Sequence, residues 1–285
     1  MGGARGTLFV VATPIGNLDD LTIRAQKTLA ACDVVLAEDT RRTRQLLSHL
    51  GLSKPLRTLN AHAGDEHLAR LAQEIADGGS FALVSDAGTP IINDPGAELV
   101  RAVIERGGQV VAIPGASAVL CALAGSGLAA NGFRFVGFLP RAGGDRQEAL
   151  ARIVETTEPV VFFEAGNRTK ETVRDLAARM PERRASIGRE LTKLHEEFLR
   201  GTLAELSESL DDELKGEVTI VLGTSAARAD IPIDDASIDA RIDAELAAGR
   251  GAKEASDIVA AWSGRPRREI YARAVSRRGA TSGRR

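Results

Sequence analysis

Short apolar runs alternate with helical patterns along most of this chain. Runs of strand type cover residues 8–12, 34–37, 81–85, 109–113, 133–138, 160–164, 185–188 and 218–222. Several are continuously apolar, as expected for strands that are covered on both faces. Apolar residues with helical spacing lie between most of them, as in 21–30, 40–50, 67–76 and 97–105. This alternation predicts an α/β fold with a mainly parallel sheet.

The alternation is interrupted near residues 132–141, where an apolar strand runs into Pro140 and a polar loop. It then restarts and ends near Gly223. We therefore predict two α/β domains, residues 1–131 and 132–224, each of ordinary domain size. The remaining residues, 225–285, are predicted to form a linker and a small helical domain.

The C-terminal region changes sign along its length. Residues 230–245 are rich in acids, whereas the stretch from Trp262 onward has eight arginines and one acid. Helical patterns at 253–263 and 267–278, separated by a glycine and a proline, predict a helix-turn-helix-like element with a basic second helix. Arg267 and Arg268 begin that helix and are candidate nucleic-acid contacts. A solvated arginine-rich tail is the alternative interpretation.

Overall composition excludes several classes of protein. The 285 residues include 37 Lys and Arg and 39 Asp and Glu, so the net charge of −2 excludes a histone-like polycation but not a local basic patch. Aromatic residues make up 4%, which disfavours a base-stacking platform for single strands. The two cysteines, Cys32 and Cys121, form no disulfide framework and fit a reducing cytoplasm. No apolar run approaches the length of a membrane span.

Three loops follow predicted strands and carry glycine or proline. They are residues 13–18 (TPIGNL), 85–90 (SDAGTP) and 113–118 (IPGASA). Parallel sheets bind ligands at the carboxyl ends of their strands, so these loops predict a ligand site along one sheet edge. The nucleotide fingerprints G-x-G-x-x-G and G-x-x-x-x-G-K-[ST] are absent. Structural turns and helix caps are the alternatives.

Two charged segments are further candidates for acid–base chemistry. Residues 37–43 contain Asp39 and Arg41, which also suit a helix cap and a surface cation. Residues 188–197 contain Glu190 and Lys193, and their spacing alone favours an ordinary charged hairpin. His62 and His67 lack the H-E-x-x-H spacing, and we predict no metal site.

The order of these blocks is more specific than any one of them. The segments are LFVVATPIGNLDDLTIRA, AEDTRRT, VSDAGTPIINDPG, IPGASA, GFLPR, RELTKLHEEFLRGTL and KGEVTIVLG. Together they closely resemble the 16S rRNA cytidine 2'-O-methyltransferases of the tetrapyrrole methylase superfamily, which use S-adenosylmethionine. The resemblance spans nearly all of residues 7–223, and the charged tail is similar to the small C-terminal helical domain of those enzymes.

The resemblance implies two α/β domains of the class III methyltransferase type, with the cofactor in the cleft between them, and a cytoplasmic homodimer without metal. It implies 2'-O-methylation of a decoding-region cytidine in 16S rRNA of the small ribosomal subunit. The implied cofactor contacts are Pro14, Asp86, Gly88, Thr89, Ala116, Ser117, Ala118, Phe163, Glu164, Glu217, Val218 and Thr219.

Transfer to a ribose hydroxyl requires a proton acceptor. The candidates are Glu190 and Lys193, then Asp39, with Arg41 and Arg189 holding flanking phosphates. The family's Pro-His pair is absent from residues 164–168, which read EAGNR. The alternatives are a tetrapyrrole C-methyltransferase and a non-catalytic rRNA-binding assembly factor on the same fold.

Overall fold

A computed structural model describes residues 5–60, 64–211, 214, 216–225, 235–248, 250–263 and 265–282. The chain divides into two compact units, Met1–Ser225 and Ala226–Arg285. Each unit is described by itself. His62 and the linker at 226–234 lie outside the described residues.

The first unit begins with a five-stranded parallel sheet. Its strands are β1 (Thr7–Val11), β2 (Val34–Ala37), β3 (Leu56–Thr58), β4 (Ser80–Val84) and β5 (Gln109–Ile113), in the order β3-β2-β4-β1-β5. The helices between them are α1 (Ile23–Ala31), α2 (Thr40–His49), α3 (Asp65–Ala76) and α4 (Ala97–Glu105). Two separate apolar clusters pack around this sheet, which explains the continuous apolar strands. Strand β3 was not predicted, because LRT is short and lacks an apolar pattern.

A second five-stranded sheet follows within the same unit, together with four helices. After α5 (Ala118–Ser126) come β6 (Arg134–Phe138), α6 (Gly143–Glu155), β7 (Val160–Ala165), α7 (Gly166–Ala177), β8 (Arg184–Arg189), β9 (Glu197–Thr202), α8 (Leu203–Ser209) and β10 (Glu217–Leu222). The strand order is β6-β7-β10-β8-β9. The β6–β7 pair is parallel, and the other three pairs are antiparallel. The expectation of a mainly parallel sheet is therefore wrong for this half. The β8–β9 connection is too short for a parallel crossover, so that pair forms a hairpin, and β10 runs antiparallel to both of its neighbours.

Helix α5 joins the two halves of this unit. It follows β5 in the chain, yet Val119 and Ala122 pack in one cluster with Val161 and Val221 of the second sheet. The helix is apolar around its whole circumference, so its sequence does not indicate which sheet it covers. The boundary between residues 131 and 132 stays a prediction.

The second unit consists of α9 (Asp235–Ala247), α10 (Ala252–Ser263) and α11 (Arg267–Ser282). Its core contains Ile238, Ile242, Val259 and Ile270. The acids of α9 face the arginines of α11 in ion pairs Asp235–Arg273, Asp239–Arg273, Asp239–Arg277 and Asp243–Arg277. Much of the charge predicted for a basic surface is therefore neutralised inside the unit.

No described helix combines the length and apolar character needed to cross a bilayer. No group of three or more His, Cys, Asp or Glu side chains in the described part of the chain is placed to hold a metal ion.

Candidate functional site

The three predicted loops meet at one edge of the first sheet. Strand β1 lies between β4 and β5, so the carboxyl ends of these three strands are adjacent. Thr13 and Gly88 exchange backbone hydrogen bonds of 2.8 and 3.1 Å, which tie the first loop to the second. The Thr89 hydroxyl donates to the Ala116 carbonyl at 3.2 Å, which ties the second loop to the third.

These loops form one wall of a cavity of about 470 Å³, and strands of the second sheet form the opposite wall. Twelve of the residues singled out from the sequence line it: Asp86, Gly88, Thr89, Ser117, Ala118, Phe163, Glu164, Glu190, Lys193, Glu217, Val218 and Thr219. Pro14 instead lines a neighbouring cavity of about 350 Å³, which shares Arg42 and Asp86 with the first. Ala116 contributes its carbonyl oxygen to the loop contact but is not part of the wall.

Backbone geometry opens the loop side of the cavity. Gly88 has φ +81°, a conformation that side chains disfavour, and a β-carbon there would lie 3.1 Å from the Ile15 side chain. Ser117 occupies the N-cap position of α5, but its hydroxyl makes no capping hydrogen bond. Ser117 itself lines the cavity.

The cavity wall is strongly acidic. Six carboxyl groups line it, from Glu38, Asp86, Asp94, Glu164, Glu190 and Glu217, against two cationic side chains, Arg42 and Lys193. Apolar side chains complete the wall, among them Ile15, Val119 and Leu191. Such a wall suits a ligand that carries positive charge and an apolar ring.

Lys193 lies between two carboxylates. Its Nζ is 3.0 Å from Glu190 Oε1 and 3.3 Å from Glu217 Oε2. Burial opposes the charge of Lys193, but the hydrogen bond that Lys193 donates to Glu190 and the negative charge of Glu217 outweigh burial and raise the pKa of Lys193. The Lys193 hydrogen bond in turn lowers the pKa of Glu190. Both groups are therefore charged at neutral pH.

Glu164 is fully buried at the back of the cavity. It forms ion pairs with Arg146 and Arg168 and accepts a hydrogen bond of 2.7 Å from the Thr172 hydroxyl. Its other oxygen accepts from the Ala165 backbone amide at 2.9 Å. This network fixes the start of α7 against the end of β7, where the sequence lacks the family's Pro-His pair.

Asp39 and Arg41 do not line the cavity. Asp39 is the N-cap of α2, and it accepts hydrogen bonds from the backbone and side chain of Arg41. The Arg41 side-chain hydrogen bond lowers the pKa of Asp39 to about 2. Such a carboxylate is a poor proton acceptor. The adjacent residues Glu38 and Arg42 line the cavity in their place.

Sequence reasoning missed the segment from Ile92 to Asp94, which also lines the cavity. The sequence predicts no site residue in this segment, although the segment belongs to the block VSDAGTPIINDPG that carries the family resemblance. The sequence IINDPG directly after the second loop could have indicated this segment, because a long loop at a strand end adds residues to the ligand-binding edge of the sheet. Phe138, which is 56% exposed, was likewise assigned only to a strand.

The predicted phosphate contacts differ in their surroundings. Arg189 is partly buried and pairs with Glu197 at 3.2 Å, and it is not part of the cavity wall. In the second unit, Arg267 pairs with Asp257, whereas no ion pair of Arg268 is found among the described residues. Arg268 is exposed.

Comparison with known proteins identifies the family. The family model for tetrapyrrole (corrin/porphyrin) methylases matches residues 7–207. The chain belongs to this family. A protein of Halalkalibacterium halodurans named ribosomal RNA small subunit methyltransferase I is 41% identical over 271 residues, 94% of each chain. A protein of the same name from Xylella fastidiosa is 42% identical over 93% of this chain and 98% of its own.

The fold agrees with that assignment. A solved structure of uroporphyrin-III C-methyl transferase from Thermus thermophilus, complexed with S-adenosyl homocysteine, is similar with a TM-score of 0.55. It is 20% identical, and the match covers 76% of this chain and 97% of that one. This likeness shows the shared tetrapyrrole methylase fold, as the sequence resemblance predicted.

Proposed function

We propose that this protein transfers a methyl group from S-adenosylmethionine to the RNA of the small ribosomal subunit. The acceptor is the ribose 2'-hydroxyl of a decoding-region cytidine in 16S rRNA. The observation that carries the proposal is the 41% identity, over 94% of both chains, to a relative named for that RNA. The cavity at the sheet edge supports it, because ten of the twelve residues that the resemblance assigns to the cofactor line this cavity.

The cavity residues fit S-adenosylmethionine, which supplies a methyl group activated by a positively charged sulfur. Six carboxyl groups against two cations favour a cationic ligand on electrostatic grounds. A volume of about 470 Å³ lies within the ordinary range of small-ligand pockets, about 300–1,000 Å³. The residues that we propose hold it are Pro14, Asp86, Gly88, Thr89, Ala116, Ser117, Ala118, Phe163, Glu164, Glu217, Val218 and Thr219.

The protein's own contribution is mainly positioning and exclusion of water. The loops of the first sheet and the strands of the second bring polar groups to the cavity from both sides. Lys193 is protonated within its ion pairs, so its role is that of a fixed cation rather than of a base. We assign Glu190 and Lys193 to orienting the acceptor nucleotide. Asp39 is set aside as a proton acceptor because it lies outside the cavity wall.

RNA contacts outside the cavity are proposed for Arg41, Arg189, Arg267 and Arg268. Arginine binds phosphate through paired hydrogen bonds and makes affinity dependent on salt. Because the proposed substrate is rRNA, we propose that the protein acts in the cytoplasm. We also propose that it forms a homodimer, as the family resemblance implies.

The deciding experiment maps methylated nucleosides in small-subunit rRNA by mass spectrometry, with and without the active gene product. We expect one cytidine to lose its 2'-O-methyl group when the protein is absent. Unchanged methylation would overturn the proposal. Calorimetry with S-adenosylhomocysteine tests the non-catalytic alternative, because a pure RNA-binding factor gives no heat of binding.

The roles of Glu190 and Lys193 need a separate measurement. Lys193→Ala and Glu190→Ala should each slow methyl transfer under single-turnover conditions. If both variants react at the wild-type rate, neither residue orients the acceptor.

A further inference from the structure

The loop between β4 and α4 lines the cavity with residues 86–89 and 92–94. Ile91 and Asn93 have left-handed backbone angles, φ 76° and 68°. Side chains disfavour this conformation, and it persists where the surrounding structure imposes it. A β-carbon on Gly137 of β6 would lie 2.6 Å from Asn93 Oδ1, so the loop reaches the second sheet. Asp94, which follows Asn93, is thereby held in a fixed place at the cavity wall.

Asp94 differs from the other carboxyl groups of the cavity. Four of the six are paired with cations: Asp86 with Arg42, Glu190 and Glu217 with Lys193, and Glu164 with Arg146 and Arg168. Among the described residues, no ion pair of Glu38 or Asp94 is found. Glu38 is exposed, whereas Asp94 is partly buried. Asp94 is therefore the carboxyl group that is both withdrawn from water and not neutralised.

The surroundings of Asp94 make it more basic than an ordinary aspartate. Burial and then the negative charge of Glu38 raise the pKa of Asp94 to about 6, and Asp86 adds to this. A hydrogen bond with Ser85 acts in the opposite direction. Arg42 lies against Asp86, 3.6 Å from its Oδ2. A carboxylate of this strength is mostly ionised at pH 7 yet can accept a proton effectively.

We propose that Asp94 is the proton acceptor for methyl transfer. The acceptor oxygen forms its bond to the methyl carbon as its O–H bond breaks, and the proton passes to a carboxylate oxygen of Asp94. The electron pair of the methyl–sulfur bond stays on sulfur. This inference rests on the proposed function, and it names a residue outside the sequence candidates Glu190, Lys193 and Asp39.

The first test compares Asp94→Asn with Glu98→Gln, which removes an exposed carboxylate from the first turn of the neighbouring helix α4. The single-turnover rate at which Asp94→Asn methylates small-subunit rRNA should fall about 100-fold or more, because a general base typically accelerates a reaction by at least that factor. Glu98→Gln should keep its rate. Affinity for S-adenosylhomocysteine, measured by calorimetry, should stay within about threefold in both, which shows that the cavity is intact. A rate for Asp94→Asn within threefold of wild type would overturn the proposal.

The pH profile and a direct titration provide a second test. The wild-type rate should fall about tenfold per pH unit below pH 6, because Asp94 is then protonated. Carbon-13 NMR of labelled aspartate should show one carboxyl resonance, absent in Asp94→Asn, with a midpoint near 6. A midpoint near 4 would overturn the proposal whatever the activity. A wild-type protein that shows the expected midpoint and binds S-adenosylhomocysteine but methylates no rRNA would overturn the proposed substrate instead.

Discussion

The carboxylate of Glu190 occupies the space that a side chain on Gly216 would fill. Gly216 has φ +90°, and Glu190 itself has φ +49°. The Glu217 backbone amide donates to Glu190 Oε1 at 3.3 Å, next to the Lys193 contact. Because residue 216 has no β-carbon, the Glu190 carboxylate can pack against the start of β10 at the cavity wall.

Gly216→Ala should disrupt this corner. The new methyl group collides with the Glu190 carboxylate and adds strain at a positive φ, at a cost of about 1–3 kcal/mol. We expect affinity for S-adenosylhomocysteine to fall about tenfold, equivalent to about 1.4 kcal/mol, in calorimetry. Gly51→Ala is the matched control, because Gly51 has φ +67° but no atom within 4 Å of the added carbon. It should lose stability in urea unfolding yet bind normally; equal loss of binding in both variants would contradict the collision.

Glu164→Gln should destabilise the protein strongly. The variant leaves the Arg146 and Arg168 guanidinium groups without their buried anion, and breaking such a pair costs about 3–5 kcal/mol. Urea unfolding measures the change. Glu148→Gln breaks an exposed pair with Arg152 and should cost less than about 1 kcal/mol. Similar values for the two variants would show that burial does not set the strength of the Glu164 network.

Asp94 should make stability depend on pH in an unusual direction. Its pKa in the folded protein is raised to about 6 from the ordinary value of 3.8. The folded state therefore binds the proton more tightly, so this stabilising contribution is complete below pH 3.8 and is lost as the pH rises through 6. A half-buried group limits the effect to about 1–3 kcal/mol. Asp94→Asn should be more stable than wild type at pH 8, with the difference absent at pH 4, in urea unfolding at both values. A constant difference across this range would contradict the pKa shift.

Arg268 and Arg277 should differ in RNA binding. Arg268 is exposed and outside the ion pairs of the described residues, whereas Arg277 pairs with Asp239 and Asp243. Arg268→Ala should lower RNA affinity and reduce the salt-dependence slope by roughly one, as expected for one lost phosphate contact. Arg277→Ala should mainly lower the unfolding temperature. Binding titrations at several salt concentrations test this, and an unchanged slope for Arg268→Ala would remove it from the interface.

Particular residues show how far prediction from the sequence reached. The loops after β1, β4 and β5 were recognisable because each combines a buried strand with a glycine or proline turn. Adjacent strand ends then follow from parallel pairing. No site role for Asp94 was predicted, because a carboxyl group in an Asp-Pro-Gly turn has the same sequence as an ordinary helix cap. Its burial and its acidic neighbours come from distant segments.

The sequence by itself determined the family, the alternation of strands and helices, and the loops that carry the cavity wall. These depend on local patterns and on the order of motifs along one chain. Tertiary structure alone decided that α5 covers the second sheet, that the acids of α9 pair with Arg273 and Arg277 of α11, and that Lys193 lies between Glu190 and Glu217. Each of these depends on contacts between segments far apart in sequence, and burial and pairing of charge are set by those contacts.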